Sequence, residues 1–230
     1  MLKEVTQKFL KNRNVFLYNS EGSRDRDLVI DLKQKIVLNS KGVLHLEAHN
    51  GQERYYYAKL GASVIWIEAI PDHYKILLKN IQEFSNQKGM LALLGSVNKK
   101  NVEFNLASND EQSSSIYSFG NDTQFKNLHT TKIILLTMKR LDNLLSKKQI
   151  SGYTHWIIDV QGAELEVLKG AGKLLDYCYS LQVEVTSRDL YRDGANAQKV
   201  IDFLLLKGFV NLQEHRIGYH EDLLFIRLHK

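Results

Sequence analysis

The chain has 230 residues, 43% of them hydrophobic and 25% charged, which suits one α/β domain with a short extension and excludes global disorder. A single proline and a single cysteine exclude Pro-rich linkers, an intrachain disulfide and a cysteine-built zinc site. The net charge of +5 favours an anionic partner only mildly, and the absence of any long run of like charges speaks against a nucleic-acid tail.

Leu2, Val5, Phe9 and Leu10 fall at helical spacing and predict a short helix. Val29 to Leu38 carries a second apolar patch, so residues 1–41 are expected to form an N-terminal helical extension that covers the site, with the main domain over 42–230. Met1 to Leu10 is charged and amphipathic and lacks the apolar stretch of a leader, which makes the cytoplasm the expected compartment. The apolar runs are strand-sized, so no membrane span is expected.

From Gly42 the pattern becomes regular. Residues 43–48 form a buried-type strand, 49–51 a turn, and 52–60 a helix that Gly61 ends. Residues 63–67 give a second strand closing in Glu68. Pro71 opens a helix over 72–84, where its missing N–H does no harm. Met90 to Leu94 is a third strand and Val102 to Ala107 a further one. Ser108 to Thr130 is a polar loop centred on Ser113-Ser114-Ser115, long enough to be mobile or functional. Ile133 to Thr137 predicts a strand, Leu141 to Leu145 a helix, Trp156 to Asp159 a strand and Ala163 to Leu175 a helix. Tyr179 to Val185 is a strand, Ala197 to Leu206 a helix closed by Gly208, and Phe209 to Leu212 with Leu223 to Leu228 a final antiparallel pair. Alternation of strand and helix implies a parallel sheet with right-handed crossovers. Cys178, in the approach to a strand, is expected to be buried filler.

The chemistry concentrates where apolar runs end in acids. Ile157-Ile158-Asp159-Val160-Gln161-Gly162-Ala163-Glu164 delivers a carboxylate to a strand's carboxyl edge, the place where α/β sheets bind ligands. Glu184 closes the next strand in the same way. Two such carboxylates can position or deprotonate a hydroxyl, or hold a divalent cation. Glu68 can accept two vicinal ribose hydroxyls of an adenosine ligand. The turn Glu47-Ala48-His49-Asn50-Gly51 has only one glycine and no G-x-G-x-x-G, so it is no dinucleotide fingerprint; small residues there would still let a ligand approach the backbone. The histidines are scattered and none makes the spacing that puts two imidazoles on one helix face, so no metal is expected. Tyr55-Tyr56-Tyr57 spans most of a helical turn, leaving one or two rings available to stack on a ligand. Arg188, Asp189, Arg192 and Asp193 lie on a loop at the rim, open to substrate or to solvent alone. Trp66 and Trp156 read as core.

These segments resemble the FkbM family of methyltransferases. The likeness runs from residue 42 to 228 and is correctly ordered: the 42–69 unit, the serine run at 113–116, Leu141-Asp142, the 158–171 signature, Glu184-Val185, Leu190-Tyr191 and 203–209. The resemblance implies a class I methyltransferase-like (Rossmann-like) fold: a seven-stranded, mostly parallel sheet with helices on both faces and an antiparallel C-terminal strand pair. It implies S-adenosylmethionine (SAM) as cofactor, over Glu47, Ala48, Asn50, Gly51, Glu68 and Ala69. The acceptor is expected at Asp159 and Glu184, with Asp159, Glu184 and His49, in that order, as candidate bases. The chain departs from the family at His45, where an acid is usual, and at Glu47, where glycine is usual. The expected activity is O-methyl transfer to a hydroxyl of a small molecule or glycan. Two alternatives stay open: an RNA ribose methyltransferase, suggested by the charge but with nucleic acid the disfavoured partner, and a binding module without turnover, suggested by Glu47. The oligomeric state is open.

Overall fold

The computed structural model describes residues 33–120, 127–186, 190–212 and 220–227. The helix expected around Leu2 to Leu10, the covering role given to residues 1–32, and Arg188 and Asp189 lie outside the described residues.

In chain order the elements are helix α1 over 33–39, strand β1 (Val43–Leu46), α2 (Arg54–Lys59), β2 (Val64–Glu68), α3 (Pro71–Ile81), β3 (Gln87–Leu91), β4 (Leu93–Leu94), β5 (Lys99–Ala107), β6 (Thr130–Lys139), α4 (Leu141–Leu144), α5 (Lys147–Ile150), β7 (His155–Ile158), α6 (Glu164–Ala171), a 3₁₀ turn (Gly172–Tyr177), β8 (Ser180–Thr186), α7 (Ala197–Leu206), β9 (Phe209–Asn211) and β10 (His220–Arg227).

Seven strands form one sheet in the order β3-β2-β1-β7-β8-β10-β9. The first five run parallel, and β10 is antiparallel to both β8 and β9. β1 and β2 are buried along their whole length because the sheet is covered on both faces, the condition that makes parallel strands continuous apolar runs rather than alternating ones. Period two sorts them. Leu44, Leu46, Ile65, Ile67 and Ile158 point into a core closed by Leu141, Ile150, Val167, Leu168, Val200 and Leu204 of α4 to α7. Val43, Val64 and Trp66 point the other way, under Val37 of α1, Tyr57 of α2 and Leu77 and Ile81 of α3. His45 belongs to this second layer. It stacks on Trp66 at 4.7 Å, its Nδ1 lies 3.1 Å from the Tyr57 hydroxyl, and burial lowers its pKa to about 3. At this departure from the family pattern the imidazole is a neutral core group.

β1 is the strand where the order reverses, with β2 on one side and β7 on the other. A crevice opens outside the carboxyl ends of such neighbours, and Glu47, Glu68, Asp159 and Glu184 all stand at that edge.

Three expectations change. The third strand is not continuous: Ala92 donates its N–H to the Glu68 carbonyl at 2.9 Å, and Leu93–Leu94 then leaves the main sheet to pair with β6. The strands expected at 102–107 and 133–137 are longer and form with β4 a separate three-stranded sheet, order β4-β6-β5, around Phe104, Leu106 and Met138. The helix expected over 163–175 stops at Ala171, because Gly172 takes φ 52° under the Arg140–Asp142 ion pair. A side chain there would meet the Asp142 carboxylate at 2.4 Å. Gly170 answers a closer approach: a Cβ on it would lie 2.0 Å from the Gly95 carbonyl oxygen, where α6 crosses the root of the inserted sheet. No helix among the described residues is long and apolar enough to cross a membrane.

Candidate functional site

The turn after β1 is wound unusually tightly. Glu47 (φ 62°), His49 (φ 45°) and Gly51 (φ 68°) all take left-handed backbone, which costs a residue with a Cβ about 1–2 kcal/mol. Glu68 holds the turn. Its Oε2 accepts the His49 N–H and its Oε1 the Ile70 N–H, both at 2.7 Å. Burial raises the Glu68 pKa to about 7 against the pull of these amides. Carboxylate oxygens have two lone pairs each, which leaves capacity for a ligand donor beside these amides. Gly51 has a packing reason of its own, since a Cβ would meet the Leu77 side chain at 2.7 Å. Asn50 turns to α3, its Oδ1 lying 3.0 Å from His73 Nδ1. Ala48 is buried and bonded through its N–H to the Ile67 carbonyl. The His49 ring packs on His73 at 3.9 Å, with Nε2 at 3.2 Å from the Asp110 carbonyl. It therefore sits on the Glu68 side of the site, and among the described residues no hydrogen bond links it to Asp159 or Glu184.

On the other side, the signature Asp-Val-Gln-Gly-Ala-Glu acquires a reason at nearly every position. Asp159 caps no helix. Gln161 donates through Nε2 to Asp159 Oδ1 at 2.5 Å and to Glu184 Oε2 at 2.9 Å. Gly162, at φ 93°, has no room for a Cβ, which would lie 2.8 Å from the Tyr191 ring. Glu164 Oε1 accepts the Gly162 N–H at 2.9 Å and so closes the turn. Burial pushes the Asp159 carboxyl well up, and the neighbouring Glu184 carboxylate pushes it further. Burial raises the Glu164 pKa to about 7.

Glu47 joins the two sides. Burial is the main cause of its strongly raised pKa, followed by the charges of Glu68, Asp159, Glu164 and Glu184. Its Oε2 is buried without a hydrogen-bond partner among the described residues. It stands in the wall of a hollow, partly open to solvent, whose other walls are apolar, among them Ile67, Ala69, Leu93, Phe104, Val160 and Ala163. A second hollow of about 180 Å³ adjoins Gln161, Glu164, Glu184 and Tyr191.

The segment expected as a loop at 108–130 is in part ordered over this edge. Ser115 Oγ donates to the Gln161 carbonyl at 2.7 Å, Tyr191 lies 3.1 Å from the Ser113 carbonyl, and Glu111 pairs with His73 at 2.9 Å. Residues 121–126 of that loop lie outside the described residues. Tyr57 is core, whereas Tyr55 and Tyr56 face solvent, so none of the three rings lines a hollow. Cys178 is buried and its thiol pushed up by that burial. Among the described residues no group of three His, Cys, Asp or Glu could hold a metal ion. Sequence reasoning assigned nothing to Gln161, Glu164 and Tyr191; the first two stand inside the quoted signature.

Sheet order, the acids at its carboxyl edge and the apolar hollow beside them define a class I methyltransferase fold. The sequence profile described as the Methyltransferase FkbM domain matches residues 45–211, and the chain belongs to that family of SAM-dependent methyltransferases. No curated protein matches it in sequence. Similar solved structures include a magnesium protoporphyrin IX methyltransferase from Synechocystis with bound SAM (12% identity, 99% of this chain and 98% of that one, TM-score 0.48). Others are a SAM-dependent methyltransferase from Aquifex aeolicus (10%, 86% and 89%, 0.48) and an rRNA methylase from Streptococcus thermophilus (11%, 87% and 96%, 0.47). At such scores the likeness carries neither substrate nor site residues.

Proposed function

We propose that the protein moves the methyl group of SAM to a hydroxyl of a small molecule or glycan. The observation that carries the reading is the buried, unpartnered Glu47 oxygen, surrounded by further acids at the rim of an apolar hollow. A buried charge without a partner is costly, and a cationic ligand with an apolar body relieves that cost. SAM has both parts, so the residues present fit it. Glu68 and Ala69 would hold its nucleoside end, with Glu47 facing the charged end. When bound, the cofactor supplies an electrophilic methyl on a sulfonium that leaves as a neutral thioether.

The chain's own part is to orient the acceptor and remove its proton. As the acceptor oxygen forms its new bond to carbon, its proton passes to the Asp159–Glu184 pair. Such a base is expected to contribute about 10²–10⁴-fold. His49, held by His73 and Asp110, is displaced from this role. The acid-lined edge also favours a neutral or cationic acceptor over a polyphosphate, which supports the small-molecule reading over RNA.

The test is titration calorimetry with SAM and with its demethylated product. Transfer of labelled methyl groups is then measured on hydroxylated small molecules, glycans and RNA. Label stable to mild alkali, as in a methyl ether, is the expected outcome. No heat from the wild-type protein at high concentration would sink the proposal.

A further inference from the structure

We propose that Gln161 and Tyr191 are positioning residues that hold Asp159 and Glu184 together as one proton-accepting pair. The inference rests on the reading of that pair as the base. A satisfiability argument carries it. The Gln161 NH₂ has two hydrogens for its two contacts, at 2.5 Å to Asp159 and 2.9 Å to Glu184, and whichever acid is ionised can only accept. The amide oxygen must then point away, and there it accepts the Tyr191 hydroxyl at 2.5 Å. The reversed amide would set its oxygen against the two acids, and the Tyr191 hydroxyl, its one proton then turned to the Ser113 carbonyl at 3.1 Å, would have to accept from the NH₂. The Tyr191 contact to the amide oxygen, shorter than its contact to the Ser113 carbonyl, therefore favours the orientation that serves the acids.

Everything around the amide fixes it further. Its residue takes φ 50°, its carbonyl accepts the Ser115 hydroxyl, and the missing Cβ of Gly162 admits the Tyr191 ring. Burial, then the Glu47 charge, pushes the Tyr191 phenol up, so it stays protonated and able to donate. Among the described residues the acids facing the pair are Glu47 from the turn after β1, Glu164 from α6, and Asp222 opposite Glu184 in β10, the last paired with Lys33 at 3.2 Å. Among the described residues no cation contacts Asp159, and the amide hydrogen bond favours its ionised form.

Gln161→Leu removes both amide donors; Tyr191→Phe keeps the ring and removes the hydroxyl that meets the amide oxygen and the Ser113 carbonyl. The measurement is a pH titration of side-chain carboxyl carbons by NMR on the full ligand-free chain, with signals assigned through Asp159→Asn and Glu184→Gln. In the wild type the two carbons should move together in two separated steps. Gln161→Leu should raise the proton affinity at the lower step about tenfold, the low end for a hydrogen bond to a charged group, and Tyr191→Phe about threefold. Affinity for S-adenosylhomocysteine should change in neither. Titration curves identical to wild type in folded Tyr191→Phe would overturn the proposal, as would a loss of melting temperature and cofactor affinity without movement of the pair. If the wild type binds no S-adenosylhomocysteine, the functional reading fails instead, and the titration still decides the positioning question.

Discussion

Replacing a buried acid should make this protein more stable, and only above neutral pH. Glu164 is 3% exposed, and its pKa rises from 4.5 to about 7, by burial first, with its own and the Gly162 amides opposing and Glu184 adding to the rise. A carboxyl with a raised folded pKa contributes stability that is complete below its unfolded pKa and is lost as pH climbs through the folded one. At about 1.4 kcal/mol for each tenfold change in proton affinity, the span from 4.5 to about 7 amounts to about 3 kcal/mol lost by pH 8. Glu164→Gln keeps an oxygen for the Gly162 N–H and never ionises. Its NH₂ sacrifices the weaker contact to the Val160 amide, about 1 kcal/mol. The variant should therefore be about 2 kcal/mol more stable than wild type at pH 8, a rise of about 4–8 °C in melting temperature. At pH 5, already above the unfolded pKa, wild type has lost about 1 kcal/mol, so the two proteins should be about equally stable. Urea denaturation followed by circular dichroism at both pH values tests this, since titration of the histidines is common to the two proteins and cancels. A difference of the same sign and size at pH 5 and pH 8 would refute the reasoning.

Gly170→Ala should cost about 3 kcal/mol, because its Cβ would stand 2.0 Å from a backbone oxygen; thermal denaturation should fall by about 6–12 °C. Glu68→Gln leaves one of the two amides at 2.7 Å facing an NH₂, so denaturation at pH 4, where the raised pKa of Glu68 plays no part, should register a loss of about 2–3 kcal/mol, and calorimetry at neutral pH at least a tenfold weaker SAM affinity. Ser115→Ala removes a donor to the Gln161 carbonyl and an acceptor for the Tyr117 N–H. A loss of about 2 kcal/mol and faster proteolysis between residues 108 and 120 are the expected results.

Strands were legible where an apolar run ended in an acid. Glu68, Asp159 and Glu184 announced their edge because a carboxylate after such a run must leave the core. What sequence could not supply was partnership. Leu91 and Leu93 are equally apolar, and nothing local says that one pairs in the main sheet and the other with β6. Gly172 was visible as a glycine, but the reason the helix breaks there is an ion pair at residues 140 and 142, thirty positions upstream in the chain. The same limit hid the centre of the site. Gln161 and Tyr191 lie 30 residues apart, and only the folded turn, with a glycine cleared for the ring, brings phenol and amide together. Glu47 was recognised as an oddity in a cofactor turn; that its carboxylate forms the hub of four other acids is a tertiary fact.

That hub predicts a signature of cofactor binding. Glu68 and Glu164 have pKa values of about 7, and those of Glu47 and Asp159 are raised well above the usual carboxylate range, so near neutrality the ligand-free site holds protons that an exposed carboxylate would have lost. A cation brought into the same low-dielectric edge favours the ionised forms. Binding must then expel protons, and by linkage affinity must rise with pH through the range in which those acids titrate. Calorimetry at pH 6.5 in two buffers of different ionisation enthalpy measures this directly: the apparent heats should differ by the release of about one proton. S-adenosylhomocysteine, which lacks the sulfonium charge, should release less. Equal heats in both buffers for SAM would mean that the acids are not answering a positive charge, and that the buried oxygen of Glu47 serves something other than the cofactor.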